Sequence, residues 1–563
     1  MNKNTATGII AFQAQNRGRS IYLFGLLWLI LFLLYLPAAK GGWVSDTVEE
    51  IQKIRGPFWE YINRRESRGN MYQFTQLTTY FFYLLFGTKA WLWHLLFITL
   101  QATNATLLFV ISSRLFAAAG IKKATLIAAG GVLLFCICPH LSEVMVWKAS
   151  FHYLQAMLLI LCILYCVQQY HTTPSVKYVC LSLALFFCST FSDEFFFITP
   201  FLVFSLIAYY RWVLGYDKTI FRKALLYFFL PVCLLILGHI LFIAFISGSY
   251  AGDAGDEVHQ PVFGYLRKPP LYLFHVIFFG RFLAHSHAQA VYDFFASRKG
   301  IILFWGFMAC LWGPILIRFK KINPSTKAAV LILFWAQVCI AMVCPVWFPE
   351  TLLVNFDRYT YFMLPFIYLL LMLLLVQIKV KEIAITLFIL YAAVNIYLTV
   401  KVTRYWGQSA CIADHLVHSV PPTDNKVVLL LNVPEYMNGV PIIGPFHHYS
   451  FRQMYNLNNV RQINNAMYDV VSYNMTSPSD GAHVNVYGDT VVHVTLNQWG
   501  TWWWSGMWGA FSYENEYYKV NMIDQGHWYE LKFKKPISEY VLLYNVGDQW
   551  KKVDLMNKNT DQN

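Results

Sequence analysis

Five groups of ionisable residues stand where long apolar runs begin or end. Hydrocarbon solvates charge poorly, so each group needs a partner or a function. The first is Asp46, closing the run Gly-Gly-Trp-Val-Ser-Asp, with Glu49 and Glu50 after it and then Arg64, Arg65, Glu66 and Arg68. Asp46 alone reads equally as a solvated loop acid. The second is Cys138-Pro139-His140-Leu141-Ser142-Glu143, closing on Trp147 and Lys148, where His140 and Glu143 share one short connection. The third is Ser192-Asp193-Glu194, two adjacent carboxylates between Phe191 and Phe195 that core packing does not explain. The fourth is Pro349-Glu350 followed by Asp357-Arg358-Tyr359. The fifth holds Asp253, Asp256, Glu257 and His259, whose charges plain solvation of an external loop explains. Positioned carboxylates can move protons. Arg358 beside Tyr359 can grip a phosphate through two parallel hydrogen bonds. Several carboxylates facing one cavity would also suit a divalent cation, though no metal or other cofactor is firmly expected.

The elements that must position these residues are membrane spans. Of 563 residues, 57% are apolar and only 13% are Asp, Glu, Lys or Arg, against roughly 25% charged in a soluble domain. Apolar stretches near the bilayer-spanning length of about 20 residues recur along the chain. Eleven spans are expected, at 21–38, 91–112, 124–138, 151–168, 177–191, 196–210, 224–246, 300–317, 328–344, 359–377 and 382–400. The runs 73–87 and 271–284 are too short or too charged to span, and read as interfacial helices, with 247–270 an external loop. The net charge of +13 is not gathered into a basic domain. Many cations sit in short connections, as at Lys122-Lys123, Arg211, Arg222-Lys223 and Lys379, which is the pattern of cytoplasmic loops. Nucleic-acid binding is therefore not expected. The 11 cysteines are mostly single within apolar runs and read as buried free thiols, not metal ligands or a disulfide framework.

Arg17 and Arg19 fix the N-terminus inside, and an odd number of spans then puts residues 401–563 outside. There the texture changes to short strand-like runs at 427–432, 490–497, 527–533 and 538–545, parted by Asn, Gly, Asp and Pro. Trp502, Trp503 and Trp504 lie in a tight tryptophan cluster that suits an aromatic core, a belt at the bilayer surface or a stacking platform for sugar rings. With this topology the charged groups share the external side. Few charges lie deep inside spans, which favours chemistry on a membrane-embedded substrate over passage through the membrane.

The order of these pieces resembles the GT-C superfamily of glycosyltransferases that take sugar from polyprenyl-phosphate carriers. The resemblance is greatest to the membrane half of protein mannosyltransferase-like and tetratricopeptide-linked O-mannosyltransferases. It rests on Asp46, on Arg68-Gly69 through Thr75-Gln76-Leu77-Thr78-Thr79 to Leu84-Leu85-Phe86-Gly87, and on Trp91-Leu92-Trp93-His94-Leu95 through Asn104-Ala105 to Arg114. The family's His-Pro-x-His-x-Glu-x-x-x-Trp stretch stands here as Cys138-Pro139-His140-Leu141-Ser142-Glu143 through Trp147, keeping Pro, Glu and Trp and losing both histidine positions. Its Ser-Lys-Glu is Ser192-Asp193-Glu194 with Pro200 following, and its Asp-Arg-Tyr-x-Tyr-x-x-x-Pro is Asp357-Arg358-Tyr359-Thr360-Tyr361 through Pro365. The likeness covers residues of about 20–400, with no counterpart of the family's C-terminal repeats.

Hydropathy and the strand-like runs imply a polytopic α-helical, GT-C-like region of about eleven spans (1–400) followed by a β-rich extracytoplasmic domain (401–563). The resemblance implies inverting transfer of a sugar to a glycan, lipid or protein, with Asp46 as general base. Arg68, Arg358 and Tyr359 would bind the carrier phosphate, and Glu49, His140, Glu143, Asp193, Glu194 and Asp357 would shape the site or hold the acceptor. Membrane lipids are the surrounding partner. Short loops, an uncleaved first helix and the lack of a disulfide-rich ectodomain point to a bacterial inner membrane, with the C-terminal domain periplasmic. The competing readings are a non-catalytic membrane scaffold and a flippase or polymerase of lipid-linked saccharides.

Overall fold

The computed structural model describes residues 3–41, 43–44, 46–64, 71–247, 262–344, 357–422, 426–443, 450–458, 466–487, 491–496, 512–523 and 528–553. The chain divides into two compact units. One comprises Met1–Tyr35, Phe58–Met145 and Ser150–Val400; the other comprises Leu36–Pro57, Val146–Ala149 and Lys401–Asn563.

The α-helices in chain order are α1 (Lys3–Tyr35), α2 (Asp46–Ile54), α3 (Phe58–Ile62), α4 (Gln73–Phe86), α5 (Ala90–Ala118), α6 (Ala124–Cys136), α7 (Ser142–Val146), α8 (Phe151–Thr172), α9 (Val176–Thr190) and α10 (Thr199–Trp212). They continue with α11 (Lys218–Ala224), α12 (Leu230–Ser247), α13 (Val262–Ile277), α14 (His285–Ala296), α15 (Arg298–Ile317), α16 (Pro324–Val343), α17 (Leu364–Leu375), α18 (Lys381–His418) and α19 (Ser450–Asn458). Among the described residues eight helical stretches are long and apolar enough to cross a membrane: Gly18–Ala38, Ala90–Ala118, Lys148–Thr172, Glu194–Trp212, Lys218–Ile246, Arg298–Ile317, Pro324–Val343 and Lys381–His418. A ninth is the pair Ala124–Cys136 and Pro139–Val146, bent by 56°. The remaining two expected spans are the shorter apolar helices α9 and α17. Leu234, Leu237, Leu241 and Phe245 on α12 and Ile302, Leu303 and Phe307 on α15 are exposed. Such a display is untenable in water and natural against lipid. The protein is a multi-pass membrane protein.

Two expectations are corrected. Residues 262–270 are helical, although the Pro269-Pro270 pair reads as a loop signal. Pro270 has no N–H to give the carbonyl of Leu266 four residues earlier. The indole of Trp305 supplies the missing donor, 2.9 Å from that oxygen. Proline inside an apolar helix is tolerated when a neighbour re-satisfies the freed carbonyl. The second correction concerns cysteine: all are free, but Cys180, Cys310 and Cys411 are exposed on helix faces. The span Lys218–Ile246 also contains a π-turn at Leu225–Phe229, where the N–H of Leu230 reaches Leu225 O ahead of Pro231.

Close packing of α6 on α17 decides where the charged turns meet. A Cβ on Gly131 would come within 2.8 Å of Leu369 Cδ2 and 3.1 Å of Leu369 Cα. Small residues of this kind let helix backbones approach in membranes. Because α6 runs into Pro139–Val146 and α17 follows Asp357–Thr360, their contact brings the two turns side by side. Gly131→Val should therefore lower stability by about 1–3 kcal/mol. A falling thermal unfolding midpoint in detergent would register it; an unchanged midpoint would refute the close-packing argument.

The second unit carries twelve strands among the described residues: β1 (Val427–Leu430), β2 (Val433–Met437), β3 (Val440–Pro441), β4 (Met467–Asp469), β5 (Ser472–Met475), β6 (Ala482–Tyr487), β7 (Val491–Leu496), β8 (Ser512–Glu514), β9 (Tyr518–Ile523), β10 (Trp528–Phe533), β11 (Tyr540–Val546) and β12 (Gln549–Lys552). A four-stranded sheet has order β12-β11-β1-β4, with β1 (Val427–Leu430) parallel to both β11 (Tyr540–Val546) and β4 (Met467–Asp469). A five-stranded antiparallel sheet has order β6-β7-β10-β9-β8, and a three-stranded one β3-β2-β5. In the five-stranded sheet Val492 and Val494, Tyr518 and Val520, and Tyr529 and Leu531 are buried on alternate positions, so one face packs and the other is polar. The four strand-like runs of the sequence correspond to β1, β7 (Val491–Leu496), β10 (Trp528–Phe533) and β11.

Candidate functional site

Pro139 ends the α6 direction and starts a tight 3-10 turn, Pro139–Leu141, that leads into α7. The facing turn, Asp357–Thr360, is also 3-10 and is tied internally by the Thr360 hydroxyl, which donates to Asp357 O at 2.7 Å. Across the gap Glu143 accepts the backbone N–H of Arg358 at Oε2, 3.0 Å away, while its Oε1 pairs with the Arg358 guanidinium. The same guanidinium lies 4.9 Å over the Tyr359 ring. Glu143 thus fixes both the backbone and the side chain of Arg358.

Asp357 collects three partners from two other segments. His140 Nδ1 and His275 Nε2 each lie 2.8 Å from Asp357 Oδ1, and Arg281 pairs with Oδ2. His275 stands in the last turn of α13. The chain then reverses through Phe279, held at φ 55°, and Gly280, so that Arg281 returns to the same carboxylate. A Cβ on Gly280 would stand 3.1 Å from both Cα and Nδ1 of His275, so the turn presses directly on the imidazole. Burial alone would raise the Asp357 carboxyl. The Arg281 charge and the imidazole contacts outweigh it and hold Asp357 well below the usual carboxylate range.

A second acidic group lies beside this one. Tyr72 donates to Glu194 Oε1, and His152 Nε2 is 3.6 Å from Asp193 Oδ2. The backbone N–H groups of Phe74 and Thr75, at the start of α4, donate to Phe191 O, so the expected interfacial helix docks on this turn. The rings of Phe195 and Phe362 stack at 3.8 Å, and Tyr153 packs on both, joining the two charged groups through an aromatic wall. Burial, and then the charge of Glu194, push the Asp193 carboxyl up. With its folded pKa raised, Asp193 contributes stability below its unfolded pKa and loses it as pH rises through the folded value. Asp193→Asn should escape that loss and gain a few degrees in Tm at neutral pH, on the order of 1 kcal/mol. The gain should shrink as pH falls; a pH-independent or negative difference would show that Asp193 is ionised and paired.

No protein-family profile matches the chain, and no curated protein matches it. Solved structures similar to it include ArnT from Cupriavidus metallidurans in the apo state, 13% identical with a TM-score of 0.41, and the same protein bound to undecaprenyl phosphate, 12% identical with a TM-score of 0.40. Each match covers 80% of this chain and 89% of the other. Likeness of this degree establishes neither a shared fold nor a shared chemistry.

Of the residues singled out by sequence, His140, Glu143, Asp357, Arg358 and Tyr359 come together in the first unit, with Asp193 and Glu194 nearby. Asp46 is the first residue of α2, in the second unit. Glu49 pairs with Lys53 at 2.6 Å, one turn along the same helix, and both are partly exposed. Arg68, the 253–259 acids, Glu350 and Trp502–Trp504 lie outside the described residues. His275 and Arg281 were missed. The available signal was that 271–284 is an apolar run carrying an Arg and a His, and such residues at membrane depth call for a partner.

Proposed function

We propose that the chain transfers a sugar from a polyprenyl-phosphate donor to a glycan, lipid or protein acceptor, with inversion, at the extracytoplasmic face of a bacterial inner membrane. In this reading residues 1–400 supply the transferase function, with Leu36–Pro57 and Val146–Ala149 folding into the second unit, and 401–563 form a periplasmic domain that selects or holds the acceptor. The observation that carries this reading is the Glu143–Arg358 pair. It joins two motifs of the GT-C resemblance that lie 215 residues apart in sequence.

The chemistry follows from the groups. Asp46 takes the proton of the acceptor hydroxyl, whose oxygen attacks the anomeric carbon as the bond to the carrier phosphate breaks. Positive charge develops on the sugar ring, as in glycoside hydrolysis, so a nearby carboxylate assists. The departing phosphate keeps the bonding electrons and needs cations more than an acid. Arg358, oriented by Glu143 and flanked by Tyr359, fills that role together with Arg68. Asp193, Glu194, Glu49, His140 and Asp357 shape the site, and Trp502, Trp503 and Trp504 offer a glycan platform.

The test is to incubate the purified full chain in lipid with a panel of polyprenyl-phosphate sugars, adding candidate acceptors. Loss of one donor with stoichiometric release of polyprenyl phosphate is expected. Consumption of none across the panel, by folded protein, would sink the enzyme reading. Movement of carrier across vesicles without product would favour a flippase.

A further inference from the structure

We propose that His140, His275 and Asp357 bind a divalent transition-metal ion of the zinc class, with Arg281 holding the free oxygen of the carboxylate. The three residues each offer one ligand atom, and those atoms all lie within 4.8 Å of one another in a buried pocket of the first unit. Two edges of that triangle are already 2.8 Å. Nitrogen and oxygen ligands about 2.0–2.2 Å from zinc are about 3.3 Å apart in a tetrahedron, so those two edges would each lengthen by about half an ångström on binding. Two imidazoles, one carboxylate and an open fourth position make up a common donor set for catalytic zinc.

The surroundings fit the same reading. A ligating carboxylate usually has its other oxygen hydrogen-bonded, and Arg281 pairs with Asp357 Oδ2. The ligands come from three separate segments: the Pro139–Leu141 turn, α13 and the Asp357–Thr360 turn. The backbone is shaped to bring them in, since Phe279 adopts φ 55° and Gly280 leaves no room for a side chain against His275. Asp357 and Arg281 cancel in charge, so the bound ion would leave the pocket cationic and favour an anionic fourth ligand, hydroxide from water or a phosphate oxygen.

The alternative is a plain hydrogen-bonded cluster in which both imidazoles donate to Asp357 Oδ1. The two are separated by metal content, without any assay of transfer. The full chain in detergent is stripped with chelator, supplied with zinc or cobalt(II), and freed of excess metal. One zinc per chain, visible cobalt bands of a four- or five-coordinate nitrogen–oxygen site, and a metal-dependent rise in Tm are expected. His275→Gln keeps a hydrogen-bond donor of similar size but is a poor ligand, so it should fold and lose all three signals. His418→Ala, at an exposed position of the second unit, should keep them. Far less than one zinc per chain in the wild type, or wild-type binding by His275→Gln, would overturn the proposal. Either result would leave the proposed transferase activity standing, because neither experiment reads it.

Discussion

Asp357→Asn should cost the protein about 3–5 kcal/mol of stability, the usual penalty for breaking a buried ion pair on one side. Asn preserves the shape and can still accept a hydrogen bond from an imidazole. It cannot balance Arg281, which is buried against Oδ2. The measurement is thermal unfolding in detergent, with Asp357→Asn compared to the double variant that adds Arg281→Met. The second change removes the uncompensated cation and should return part of the loss; if it deepens the loss additively, the pair is not the origin of the effect. The pH dependence has a fixed sign. The Asp357 carboxyl is depressed below its ordinary value of about 3.9. Its contribution is therefore present above that unfolded value and lost only as pH falls through the lower folded one. Mild acid should not weaken the wild type through this residue.

Asp46→Asn should lower sugar transfer by about 10²–10⁴-fold, the usual contribution of a general base. In barrier height that is roughly 3–5 kcal/mol. Folding should hardly change, because Asp46 opens the short helix α2 and Asn is equally suited to a helix start. Steady-state rates with saturating donor, set beside an unfolding midpoint for each variant, separate the two effects. Transfer that survives unchanged in well-folded Asp46→Asn would remove Asp46 as the base and turn attention to Asp193, an acid whose carboxyl is pushed up by burial and by the charge of Glu194.

What could be read from the sequence divides along physical lines. The long helices were legible because about 20 apolar residues in a row have few soluble uses. Glu143, Asp357 and Arg358 were legible because a charge at an apolar boundary is conspicuous, and the aligned helix contact at Gly131 is what makes them meet. His275 and Arg281 were not, because a mixed apolar and basic run looks the same whether it lies on a surface or wraps a buried carboxylate; only Asp357 makes the difference. The Pro269-Pro270 pair misled because local propensity cannot register a tryptophan that donates from 39 positions away along the chain. In the second unit β1 and β10 show their apolar character, while short strands such as β3 (Val440–Pro441) and β8 (Ser512–Glu514) carry too few residues to show a period.

The Glu143–Arg358 pair also sets an order of events during biosynthesis. Its two members are 215 residues apart, so at about 5–20 residues per second the ribosome makes Arg358 roughly 10–40 s after Glu143. Throughout that interval Glu143 has no Arg358, and His140 has no Asp357. The turn that carries them cannot settle into apolar surroundings as it does in the finished protein. The nascent chain must keep it near water, or keep Glu143 protonated, until the segment around Asp357 is delivered. A chain halted between α16 and Asp357 would therefore expose the Pro139–Val146 turn to protease, and one extended past α17 would protect it. The charged centre cannot close before Asp357 and Arg358 are made, and a translation pause or truncation upstream of Asp357 would leave the preceding spans without it.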